Sequence, residues 1–165
     1  MKLIKALIVA LVFSLPMAAF AELNSDQLNS DQQVEYTDAL STGNVKVVQK
    51  YLDEGVNIND KYFAWSALQI AANKDQLGIV KMVVEKGAEI DYKHPITKMT
   101  ALHLAAIDGY EDVVKYLLSK GANPNLKLRG GVSIVRAVRD TGNTKMVETL
   151  MAGGAKDDGC EGECN

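Results

Sequence analysis

The most reactive side chains in this chain are two closely spaced thiols, in Cys160-Glu161-Gly162-Glu163-Cys164. Such a pair can close on itself as a disulfide, exchange with a partner's thiols, or ligate a metal or haem iron. The C-x-x-x-C spacing differs from the C-x-x-C of redox folds, and no second ligand cluster is present to complete a zinc site. A mutual disulfide around so short a loop is worth at most about 2 kcal/mol, too little to hold a fold. His94 and His103 are the two imidazoles. Asp157-Asp158 pair acids in a solvated tail, while Asp38, Asp53, Asp91 and Asp112 fall singly on helices and turns and read as solvated faces. The chain has no G-x-S-x-G elbow, phosphate loop or H-E-x-x-H motif. We therefore expect no catalytic residue, no cofactor and no metal.

The elements that must position these residues repeat. Thr100-Ala101-Leu102-His103-Leu104-Ala105-Ala106, Gly109 and Val113-Val114 through Leu117-Leu118 to Gly121-Ala122 form one unit. It returns 34 residues earlier as Ser66-Ala67-Leu68-Gln69-Ile70-Ala71-Ala72 and Ile79-Val80 to Gly87-Ala88. It returns again 33 residues later as Ser133 to Val138 and Met146 to Gly154-Ala155. A worn first copy runs from Ala39 to Gly55, with Gly43 and Val47-Val48 in register. In each unit a short helix rich in small apolar residues precedes a second helix with apolar residues at i, i+1, i+4 and i+5. Thr100 suits an N-cap, and Gly109 a left-handed helix end. Asp75 stands where the second copy needs that glycine, and Asp tolerates left-handed backbone better than most residues. Ser30-Asp31-Gln32-Gln33 reads as a capping box for the first copy. Each helix pair leaves an apolar face bare, and stacking neighbours covers it.

This unit resembles an ankyrin repeat. The resemblance implies an all-α fold, an α-solenoid of about four stacked repeats at 32–61, 62–95, 96–128 and 129–155. It also implies that His103, in the family's Thr-x-Leu-His motif, bonds neighbouring backbone; Gln69 and Arg136 take its place in the flanking copies. Members mostly bind other proteins through loop tips and the exposed side of the first helices. Carried onto this chain, the tips supply Tyr62, Phe63 and Trp65, then His94 and Ile96, then Lys127 and Arg129. The first helices supply Asn73, Lys74, Ile107 and Asp108, with Tyr110 opening the next helix. Phe63 and the chain's one Trp, Trp65, fall together in a single tip, and aromatic residues commonly anchor binding. Tyr62, Phe63 and Trp65 can instead fold down over the worn first repeat.

The ends of the chain frame this domain. Lys2 and Lys5, an apolar run from Ala6 to Leu15, and Ala19-Phe20-Ala21 read as a signal peptide cut after Ala21. The run is shorter than the roughly 20 residues that span a bilayer. Residues 22–31 read as a polar spacer, with Leu23-Asn24-Ser25-Asp26-Gln27 duplicated as Leu28 to Gln32. Residues 156–165 read as an acidic, Cys-bearing tail in which Cys160 and Cys164 can pair. The whole chain carries a formal charge of −3 and shows no Lys/Arg cluster along its length. Nucleic acid and anionic membranes are poor partners for such a surface. The expected protein is a periplasmic, monomeric binding module for another exported protein, for instance an inhibitor of a peptidoglycan-cleaving enzyme. The alternative is an accessory factor for a redox or haem enzyme such as a catalase, using the Cys pair.

Overall fold

The structure is a computed structural model and describes residues 28–157, so the signal segment and Cys160/Cys164 lie outside the described residues. Helix α1 spans Ser30–Thr42 and α2 Val45–Asp53. A small hairpin, β1 (Lys61–Tyr62) and β2 (Trp65–Ser66), leads into α3 (Ala67–Ala72) and α4 (Leu77–Glu85). Helices α5 (Ala101–Ile107) and α6 (Glu111–Ser119), then α7 (Ile134–Arg139) and α8 (Thr144–Ala152), complete four helix pairs.

Capping residues set most of the starts. Asn29, Ser66, Thr100 and Ser133 cap the four first helices, and Asn44 and Asn143 cap α2 and α8. The capping box of α1 is Asn29 with Gln32, one residue earlier than the sequence suggests. Leu28, buried, and the start of α1 belong to the folded body, although the sequence places them in the spacer.

The turns between paired helices need left-handed backbone. At Gly43 (φ 79°) a Cβ would also run into the amide oxygen of Gln76. Asp75 adopts φ 55° in the equivalent place, as its residue type allows.

First helices pack on first helices, α1 on α3 on α5 on α7, and second helices on second helices, α2 on α4 on α6 on α8. One continuous core results, running from Leu28 to Ala155. Its first-helix layer is mostly Ala and Leu, with Ala71, Ala72, Ala105 and Ala106 fully buried. The small side chains let the helices approach closely, so enlarging one overpacks the layer. Repeat one substitutes tyrosines: the Tyr36 ring lies 5.3 Å from Tyr51 and 5.4 Å from Tyr62.

Candidate protein-interaction surface

The loops between repeats project from the stack and are tied to one another. Asn59 Oδ1 accepts the backbone N–H of Glu89 at 2.8 Å, and Asp91 Oδ1 accepts that of Asn123 at 3.0 Å. Asn125 Oδ1 accepts that of Lys156 at 2.9 Å. These three residues each stand four after a repeat-closing glycine (Gly55, Gly87, Gly121). Asp91 is therefore a link between repeats, not the solvated acid expected from sequence. The signal was present in the aligned copies but lies outside the helical motif.

A second set of bonds runs from the first helices into the next loop. His103 Nδ1 accepts the N–H of Thr100 at 3.1 Å, and Thr100 Oγ1 lies 2.8 Å from the same nitrogen. Since Nδ1 accepts, the proton sits on Nε2, which donates to Leu126 O at 3.1 Å. Burial pushes the His103 pKa down to about 4; the carbonyl of Leu126 acts against this, Lys93 adds to it and Asp91 opposes it. Gln69 copies the arrangement: its Oε1 accepts Ser66 N–H at 3.1 Å, and its Nε2 donates to Met99 O at 2.8 Å. Both residues are structural pins, as the resemblance implies for His103.

The structure sorts the expected contact residues. Phe63 is 89% exposed and Ile96 65% exposed, each at the end of a tip. Lys74, Asp108, Lys127 and Arg129 are exposed, and Asn73 is half-buried at the end of α3. Trp65, Gln69, Ile70, Asn73 and Lys74 line a shallow groove of about 170 Å³ on the first-helix side. Tyr62 and His94 are corrections, being only 3% and 6% exposed. Successive strand residues face opposite ways, so Tyr62 enters the core edge-on to Tyr36 while the turn carries Phe63 outward. His94 braces its own loop: Nδ1 accepts N–H groups of Ile96 and Thr97 at 3.4 Å, and its ring lies 4.4 Å from Trp65. Ile107 and Tyr110 are half-buried and packed on the core, so much of each is spent on stacking.

The tip at Phe63 is strained. Lys61 pairs with Ser66 and Tyr62 with Trp65, leaving Phe63-Ala64 as a two-residue turn. Both have positive φ, 52° and 70°, as in the primed turns that usually carry Asn-Gly. The turn is braced from the next repeat: Tyr92 Oη donates to Ala64 O at 3.0 Å, and the Lys61 ammonium sits 4.1 Å from the centre of the Tyr92 ring. Among the described residues, no helix is long and apolar enough to cross a membrane, and no three His, Cys, Asp or Glu side chains cluster to hold a metal.

A stack of helix pairs with a rigid, side-chain-bearing loop edge defines a repeat scaffold for gripping other proteins. The chain belongs to the ankyrin repeat family: the family pattern of three ankyrin copies matches residues 37–127, more than half of it. Such repeats are protein–protein interaction modules, generally non-catalytic. An ankyrin repeat and KH domain-containing protein, mask-1 of Caenorhabditis elegans, is 28% identical over 113 residues, 68% of this chain and 4% of that protein. An ankyrin repeat and SAM domain-containing protein of Rattus norvegicus is 32% identical over 119 residues, 69% of this chain and 13% of that protein. A bacterial ankyrin repeat protein, of Rickettsia felis, is 22% identical over 126 residues, 76% of this chain and 44% of that protein. The chain thus spans less than half the length of each.

Proposed function

We propose that this chain is an exported, periplasmic binding module that restrains another exported protein, such as a peptidoglycan-cleaving enzyme, by occluding it. Export is supported by Lys2, Lys5, the apolar run and Ala19-Phe20-Ala21. The observation that carries the binding role is Phe63. A large apolar side chain is held almost wholly in water on a turn whose two residues both bear left-handed strain. Each such residue costs on the order of 1–3 kcal/mol and persists where the surroundings enforce it, commonly at binding sites. Here Tyr62 and Tyr92 enforce it.

Two variants test the reading by recovery of partner from a periplasmic extract. Phe63→Ala removes the ring and should lose most of the partner. Phe63→Asn/Ala64→Gly supplies the residues the turn favours, and should raise stability by about 1–2 kcal/mol while losing the partner equally. Undiminished capture by both would refute a role for this tip. Trp65 is left intact because its ring packs against His94, which braces the neighbouring loop.

A further inference from the structure

The stacked loops gather charge that is dispersed along the chain. Lys61, Lys93 and Lys127 each stand two residues after the linking side chain of their tip, Asn59, Asp91 or Asn125. The links fix the register between neighbouring tips, so the three lysines fall at one level of adjacent repeats. Arg129 belongs to the same edge, its N–H donating to Thr97 O at 3.0 Å across the tips. Lys98 adds a further exposed cation. Residues 57–66, 89–100 and 123–132 hold five of the chain's 18 cations and three of its 21 acids, Asp60, Glu89 and Asp91, the last engaged by backbone. A chain with formal charge −3 therefore carries a positive edge. The far ends of the first helices are mixed in charge, with Lys74, Asp75, Asp108 and Asp140 exposed. Phe63 and Ile96 project from within the cations.

We propose that this edge docks an acidic protein surface that offers an apolar socket, Phe63 filling the socket and Lys93, Lys127 and Arg129 facing carboxylates. The inference rests on the protein-binding reading above and adds the chemistry of the partner. An acidic protein fits better than a membrane. The cations sit at fixed intervals on a tied edge, which suits discrete carboxylates, and two apolar side chains are a shallow anchor for a bilayer. Charge of opposite sign steers encounter, and a seated aromatic slows release.

The test uses the full chain and two defined probes, poly-L-glutamate and a random glutamate–tyrosine copolymer of equal length. The expected result is amide shift changes confined to residues 59–66, 91–100 and 125–132, with tighter binding of the copolymer. Lys93→Glu/Lys127→Glu/Arg129→Glu should weaken both probes about tenfold or more and flatten their salt dependence. Phe63→Ala should erase only the copolymer's advantage. Shifts centred on the helices, or affinity unchanged by charge reversal, would overturn the proposal. So would co-sedimentation with vesicles of equal parts phosphatidylglycerol and phosphatidylcholine that Phe63→Ala abolishes, since the edge would then be a membrane anchor. Capture of one exported protein equally by wild type and the charge-reversed variant would leave the module reading standing and remove this one.

Discussion

Repeats two and three solve the same problem with different chemistry. Gln69 and His103 each cap their own helix and pin the loop that follows, and both are fully buried. An amide carries its acceptor and its donor at every pH. An imidazole does so only while neutral, because a proton on Nδ1 would confront the Thr100 N–H. The repeat-three pin is therefore acid-labile and the repeat-two pin is not. In repeat four the N–H of Arg136, at the matching position, donates to Ser133 Oγ at 3.2 Å, and no further repeat follows in the described residues.

The largest effect should come from His103→Ala, which leaves a cavity and strands Thr100 N–H and Leu126 O; about 3–4 kcal/mol should be lost in urea unfolding at neutral pH. Gln69→Ala should cost about 2–3 kcal/mol for the same reasons on a smaller side chain. Acid should then separate the two repeats. Above pH 6.5 the His103 ring is neutral both folded and unfolded. Below that, the unfolded chain takes up a proton that the folded state refuses until about pH 4. Stability should fall as pH drops through this window, by about 3 kcal/mol. His103→Gln should cost less than about 1.5 kcal/mol at neutral pH and remove most of that acid loss, making the two pins alike. Unchanged pH dependence in this variant would refute the comparison.

Much of the body was legible. The recurrence of Leu68 and Leu102, of Val80 and Val114, and of the closing glycines marks helix pairs, because helix periodicity and left-handed turns are local requirements. Thr100 and His103 were legible through their motif. The edge was less so. Trp65 and Phe63 drew attention by type, yet type does not say that Tyr62, their neighbour, turns inward. His94 looked like a contact and is a brace. Asp91 looked solvated and is a link, since its partner, Asn123, lies 32 residues away.

Sequence alone determined the period, the helix pairs and the Thr100 cap, since each depends on residues within a few positions of one another. Only the stacked structure decided what the edge is. Lys61, Lys93 and Lys127 stand more than 30 residues apart and make no cluster in the linear chain. They become one row because apolar burial presses the repeats together and Asn59 and Asp91 set the register between them. Alternation across the hairpin likewise places Tyr62 in the core and leaves Phe63 outside.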